Sequence, residues 1–210
     1  MKVIVFGANG KTGLLILKHA LANGHQVVAY IRKPGSISIE NPNLKIVVGS
    51  LDETLKLRDA ISGADACISA LGGGSLTKRS PDFVKGIDTI VSIMEQEVVP
   101  RFIYLSSVGA GESKFYMGQP IRFLIVDAFL RVPLADHNAN EKRIANSKLK
   151  WTVVRPGGLN DGPLTSNLLH GSEKIKLKGN AGISRENVAS FMVSQLNEIK
   201  NVKKYVWLYE

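Results

Sequence analysis

Residues 3–13 read VIVFGANGKTG, and the order of residue types along this stretch decides the fold. Val3 to Phe6 form an apolar, β-rich run, and Gly7, Gly10 and Gly13 follow in the spacing GxxGxxG. Leu14, Leu17 and Leu21 then share one face of a helix stopped by Asn23 and Gly24. A strand that turns this abruptly into a helix needs residues without a Cβ, and the bared helix N-terminus offers N–H groups and a positive dipole to an anion. Two readings fit: a turn that is simply tight, or a seat for a dinucleotide pyrophosphate built by Gly7, Asn9, Gly10, Lys11, Thr12 and Gly13. The order strand, glycine turn, helix favours the second.

Working outward, β-rich runs at 26–31, 44–48, 65–70, 102–105, 151–154 and 205–208 alternate with helical patterns. This alternation predicts an α/β fold: a single doubly wound Rossmann domain with a mainly parallel sheet and helices on both faces. Asp52 reads as the N-cap of a helix ending near Ile61 and Gly63. The next helix carries an apolar stripe of Val84, Ile87, Val91, Met94 and Val98, a polar helix spans about 136–147, and a last one is marked by Val188, Phe191, Gln195 and Ile199. Between strand five and the polar helix the pattern breaks into glycines, prolines, aromatics and arginines. Residues 109–135 and 157–185 are therefore expected to cover a substrate.

The 210 residues suffice for one domain with a substantial core, and 44% hydrophobic with 21% charged residues excludes a disordered tail, a collagen-like repeat or a coiled coil. No apolar run reaches bilayer length, and the start, MKVIVFG, has no room for a signal peptide. Cys67 is the single cysteine, so neither an intrachain disulfide nor a multi-cysteine metal centre is expected. A reducing cytoplasm fits best. His19, His25 and His170 show no ligand spacing, and no metal is expected. The net charge of +9 favours anionic partners, yet the basic residues occur singly or in pairs rather than on one element. Nucleic acid and membrane are not expected as partners.

At the end of the second strand, where an acidic residue accepts the ribose hydroxyls of NAD, stand Arg32 and Lys33. Their charge and the fork of Arg suit a 2′-phosphate, so NADP(H) is preferred over NAD(H), with two solvated surface cations as the alternative. The ends of the next two strands carry Ser50, Leu51 and Asp52, and Ala70, Leu71 and Gly72. In an open parallel sheet these positions border the adenosine and diphosphate, although Asp52 also serves as a helix cap in the alternative reading.

With the glycine turn, Arg32, GSLD (49–52), ALGGG (70–74), LSS (105–107) and RPGG (155–158) in view, the chain resembles the atypical short-chain dehydrogenase/reductases that include NmrA-like NAD(P)-binding proteins. Within them it is similar to the biliverdin-IXβ reductase, or flavin reductase, branch, through FGANGKTG, VVGSLDE, ADH (135–137), Lys142 and GPLT (162–165). The resemblance spans nearly the whole chain. It implies that the acceptor rests on the nicotinamide, that Ser106 and Ser107 lie near that ring, and that Pro156, Gly157 and Gly158 shape the wall beside it. It also implies that His137 follows an aspartate ahead of the polar helix and that Lys142 holds the nicotinamide ribose. Two positions depart from the pattern: Asn138 stands where the YxxxK tyrosine belongs, and Gly158 where the branch has a histidine.

Without that tyrosine, the chemistry left is hydride transfer to an electron-poor acceptor, which depends on positioning more than on a strong acid. The expected function is an NADPH-dependent oxidoreductase acting on a flavin-like or quinone-like small molecule, as monomer or homodimer. Ser107, His137 and Lys142 are the candidate catalytic residues, with His137 the candidate proton donor. The alternative is a non-catalytic, NmrA-like NADP(H)-binding redox sensor. A nucleotide-sugar epimerase or dehydratase is disfavoured by the missing tyrosine. Phe115, Tyr116, Met117, Arg122, Phe123, Phe129 and Arg131 are the candidates for acceptor selection, through aromatic faces and guanidinium groups.

Overall fold

The computed structural model describes residues 1–116, 130–171 and 182–210. Its first half alternates strand and helix: β1 (Lys2–Phe6), α1 (Lys11–Ala22), β2 (Gln26–Ile31), β3 (Leu44–Val48), α2 (Thr54–Ile61), β4 (Ala66–Ser69), α3 (Pro81–Gln96) and β5 (Arg101–Leu105). A 3-10 turn (Gly111–Tyr116) leads to the second half: α4 (Arg131–Ala145), β6 (Lys150–Pro156), β7 (Gly158–Asn160), β8 (Leu169–Gly171), β9 (Gly182–Ser184), α5 (Arg185–Ser194) and β10 (Lys204–Tyr209).

Eight strands form one sheet in the order β3-β2-β1-β4-β5-β6-β10-β8, parallel throughout except for the β8–β10 pair. β7 and β9 pair separately, in parallel. Because side chains alternate across a strand, β1 sends Val3 and Val5 to one face and Ile4 and Phe6 to the other. The first face packs against α1 and α5 through Ile16, Leu17, Val188 and Met192. The second packs against α2, α3 and α4 through Leu57, Ile61, Ile87, Ile90 and Ile144. Near-continuous burial along the central strands follows from this double covering. The chain leaves β1 toward β2 on one side and returns to β4 on the other. That reversal opens a crevice at the carboxyl ends of the strands.

Four local expectations are corrected. Asp52 does not cap α2: the N-cap is Glu53, whose carboxylate accepts from the Ser50 N–H at 2.6 Å and from Lys56. Val98 lies beyond the end of α3, 83% exposed, and Ile199 beyond the end of α5, 84% exposed, so each stripe outruns its helix by one apolar residue. The polar helix begins at Arg131 rather than near Asp136, because Leu130 and Leu134 pack on Ala110 and draw the first turn onto the preceding loop. Pro133 is tolerated there, since N–H groups in a first helical turn have no intrahelical acceptor.

A buried cation also ties the sheet to α5. Arg101 donates to the Gln195 carbonyl (3.1 and 2.7 Å), the Lys150 carbonyl (2.6 Å) and Thr152 Oγ1 (2.8 Å). Burial pulls its pKa down to about 10. The carbonyl-rich carboxyl end of a helix is a favourable place for such a charge.

Candidate functional site

A cleft of about 660 Å³ opens at the switch between β1, β2 and β4. Its lining brings together Gly7 and Asn9 from the glycine turn, Arg32 and Lys33 after β2, Ser50, Leu51 and Asp52 after β3, and Leu71 and Gly72 after β4. Gly73, Gly74, Ser80, Phe83 and Gly86 complete the wall, together with Tyr30 and Lys85. Ser80, Phe83, Lys85 and Gly86 carried no signal in the strand-end reading, because they come from the loop before α3 and from α3 itself, whereas Tyr30 lies on β2.

The turn is shaped by close approach. Gly7 has φ +71°, and a Cβ on it would lie 2.7 Å from the Ala70 carbonyl oxygen. A Cβ on Gly13 would lie 2.0 Å from the Gly7 oxygen, so β1, the loop after β4 and the first turn of α1 close on one another only as glycine. α1 starts at Gly10 with no side-chain cap and no acidic residue in its first turn. Its leading N–H groups and dipole thus remain available to an anion, and the donor set fits a dinucleotide diphosphate. Thr12 and Gly13 are buried in the helix–sheet contact, and Ala70 is half-buried against Gly7. Lys11 does not point alone into water: its Nζ meets Asp161 at 2.8 Å, a carboxylate that Arg185 also holds. The Lys11 hydrogen bond, with help from Arg185, keeps the Asp161 pKa below the usual range.

The second cluster lies where β5 and β6 meet α4. Ser106 donates to Glu141 Oε1 at 2.6 Å, and Arg155 binds both oxygens of Glu141, at 3.0 and 2.7 Å. Arg155 also reaches Glu112 Oε1 at 2.7 Å and stacks over the Tyr205 ring at 4.1 Å. The guanidinium is 1% exposed, and its carboxylate partners raise its pKa against the cost of burial. Ser106 therefore spends its hydroxyl proton inside this network. Ser107 donates to the Val108 carbonyl at 3.0 Å, which leaves its oxygen lone pairs able to accept.

Along α4, Asp136, Asn140 and Glu141 face inward and are at most 3% exposed, whereas Lys142 is exposed and does not line the cleft. The next residue, Arg143, joins α4 to α3 through Asp88, Ser92 and Glu95. Asn138, at the tyrosine position, accepts the Gly111 N–H. His137 Nδ1 is 2.8 Å from the Tyr104 hydroxyl, and its ring meets Phe83 edge-on at 5.5 Å between centroids. Burial pushes its pKa down to about 4 against the opposing pull of Asp136, so the ring is neutral near pH 7. A neutral imidazole carries one ring N–H, which can serve as a hydrogen-bond donor. Pro156 is buried, its carbonyl accepting from Val108, while Gly157 donates to Leu208 and Gly158 lies exposed on β7. Among the acceptor-selection candidates, Phe115 is 60% exposed beneath the Lys114 ammonium and Arg131 is exposed at the start of α4. Tyr116 ends the 3-10 turn, and Met117, Arg122, Phe123 and Phe129 lie outside the described residues.

A glycine-turn cleft of this shape agrees with comparison to known proteins. A family described as NAD(P)H-binding matches residues 7–199. The chain belongs to this NAD(P)H-binding family. An uncharacterized chloroplastic protein of Arabidopsis thaliana is 31% identical over 98% of this chain and 75% of its own length. Among solved structures, ChuY, an anaerobilin reductase from Escherichia coli O157:H7, superposes with a TM-score of 0.82 at 22% identity, covering 100% of this chain and 97% of that one. A short-chain dehydrogenase/reductase from Veillonella parvula in complex with NADP gives 0.81 at 16% identity, covering 100% and 94%. At these identities the structural likeness shows the fold: an NAD(P)-binding Rossmann fold shared with reductases.

Within this NAD(P)H-binding chain, Tyr104, Glu141 and Arg79 were not singled out by motif, and Asp136 stood inside ADH only as the residue before His137. Arg155 stood inside RPGG without a partner to explain it. Three polar residues, Asp136, Asn140 and Glu141, on the sheet-facing side of a helix were the available signal, because polar groups are buried only when something across the fold satisfies them. Among the described residues no cluster of metal-ligating side chains occurs, and no helix is long and apolar enough to cross a membrane.

Proposed function

We propose that this chain is an NADPH-dependent oxidoreductase that passes hydride to a flavin-like or quinone-like small molecule. The observation that carries the reading is the cleft itself: the glycine turn and the Arg32–Lys33 pair line one cavity at the switch point of the sheet. The backbone of residues 7–13 holds the diphosphate, Arg32 and Lys33 take the 2′-phosphate, and Leu51, Asp52, Leu71 and Gly72 border the adenosine. When bound, the reduced nicotinamide supplies the hydride. Ser107 orients the carboxamide or the acceptor through its free lone pairs, and Pro156–Gly158 form the wall beside it. The covering role expected of residues 109–135 and 157–185 rests on the described parts, 109–116, 130–135, 157–171 and 182–185, while 117–129 and 172–181 lie outside the described residues. Excluding water there is what hydride transfer needs in place of a strong acid. Lys142, exposed on α4, is left without a catalytic assignment. That the solved neighbour ChuY is named a reductase supports the choice of reaction.

One observation favours the sensor as a second reading: the Ser106 hydroxyl proton is taken up by Glu141, which Arg155 also holds. The two readings separate in one experiment. NADPH and NADH are titrated by fluorescence, and NADPH oxidation is followed with FMN, riboflavin and a quinone series. Tighter binding of NADPH with turnover of at least one acceptor is the expected result. Tight binding with no oxidation by any acceptor establishes the sensor, and no binding of either dinucleotide overturns both.

A further inference from the structure

The polar groups around His137 form a directional chain. Asn140 Nδ2 lies 3.1 Å from the Tyr104 hydroxyl, and that hydroxyl lies 2.8 Å from His137 Nδ1. An amide nitrogen only donates, so the phenol oxygen accepts from Asn140, and because its one other hydrogen-bond partner among the described residues is His137 Nδ1, that nitrogen is the acceptor open to its single proton. Nδ1 then bears no hydrogen, and a neutral ring carries its proton on Nε2. Inverting the Asn140 amide would reverse every donor in the chain. The amide as it stands leaves its buried Oδ1 without a partner, whereas inversion would leave a buried NH2 unpartnered, and orphaned buried N–H groups are the rarer of the two in proteins.

The charges around the ring allow this state. From the segment before α3, the Arg79 guanidinium and the Ser80 N–H (2.9 Å) both engage Asp136, so the nearest carboxylate is already compensated. Glu141, on the same helix, is bound by Arg155 and Ser106. From α3 the edge-on Phe83 ring meets His137, and from β5 Tyr104. Phe83 also lines the cleft, which puts the imidazole immediately behind the cavity wall.

We infer that Tyr104 and Asn140 are positioning residues that lock His137 in its Nε2–H form, so that it stands beside the cleft as a permanent hydrogen-bond donor rather than as a titrating acid. The tautomer is a property of the protein alone. Its use toward cofactor or acceptor rests on the oxidoreductase reading. Burial supports the lock: a ring with pKa about 4 keeps this form throughout the range in which a free histidine titrates.

Side-chain 15N–1H NMR on the full chain tests it, with His137→Gln identifying the resonance among the four histidines. The wild type is expected to show an unprotonated Nδ1 and a protonated Nε2 from about pH 8 to about pH 5. In Tyr104→Phe the donor to Nδ1 is gone. The expected result is a mixture of tautomers and a titration midpoint raised by at least about one pH unit, since hydrogen bonding to the neutral form no longer opposes protonation. A methyl-region spectrum checks that Tyr104→Phe is folded, and Asn140→Asp, which removes the donor to the phenol, gives an independent second variant. With an active acceptor, kcat is expected to be flat over this range in the wild type and to acquire a limb at the NMR midpoint in Tyr104→Phe, with KM for NADPH changed less than about twofold. A protonated Nδ1 in the wild type, or a tautomer and midpoint unmoved in both variants, overturns the inference. Should the NMR pattern hold while neither dinucleotide binds, the lock stands and the oxidoreductase reading falls.

Discussion

α1 follows β1 after a short glycine turn and α5 follows β9 directly, yet their N-termini are finished in opposite ways. At α5, Ser184 accepts from the Asn187 N–H at 3.1 Å, Glu186 occupies the first turn, and Glu210 takes the Asn187 side chain and the Ser184 N–H. A side-chain cap and an acidic first turn are both present. At α1 the cap is Gly10, with no side-chain acceptor and no acidic residue, and the helix opens toward a cleft edged by Arg32 and Lys33. The contrast separates a helix end spent on stability from one left open for an anion. Both pack onto the same face of the sheet, so location in the core does not account for it.

Four substitutions break or sharpen this contrast. Gly13→Ala is expected to have the largest effect, because its Cβ meets backbone 2.0 Å away and cannot be relieved by a side-chain rotation. A loss of at least about 3 kcal/mol in denaturant unfolding, with NADPH binding abolished, is the expected outcome. Arg32→Ala should weaken NADPH by about ten- to a hundredfold in fluorescence titration, the range of a lost hydrogen bond to a charged group, and leave NADH nearly unchanged. Equal losses for both would remove the 2′-phosphate assignment. Gly10→Asp makes α1 resemble α5. With φ −77° at this residue the backbone angle suits a side chain, but its Cβ would lie 3.3 Å from the Gly7 carbonyl oxygen, so the gain from the cap is offset. Stability should change little while NADPH weakens by about 1 kcal/mol, roughly fivefold, through the opposing charge. Ser184→Ala should cost about 1 kcal/mol of stability, the value of a helix cap, without a change in NADPH affinity. An affinity loss there would show that the α5 terminus also serves the cleft.

The site was legible in the sequence to different depths. The strand-end residues Ser50, Leu51, Asp52, Leu71 and Gly72 line the cleft where the alternation of elements puts them, because in a parallel sheet the carboxyl ends of neighbouring strands share one edge. Asp52 was misread as a cap because its neighbour Glu53 reaches back across the turn instead, and a sequence pattern cannot tell which of two adjacent carboxylates does so. Val98 and Ile199 fit their helical stripes by spacing alone, yet the chain has already left the helix at each. The roles given to Ser106 and Lys142 rested on position in a motif, and position does not reveal that Ser106 faces Glu141 or that Lys142 turns outward.

What residues 3–13 and the alternation of runs determined by themselves was the doubly wound sheet, its switch point and the open start of α1. Turn sterics and hydrophobic periodicity act between residues a few positions apart, so the chain carries them locally. The tertiary structure alone decided that Arg155 meets Glu141 and Glu112, that Arg101 finds the end of α5 and that Tyr104 faces His137. Tyr104 and His137 are 33 residues apart, and Arg101 and Gln195 are 94. Burial cost forces each such group to find a partner, but only the folded packing of sheet against helix chooses which one.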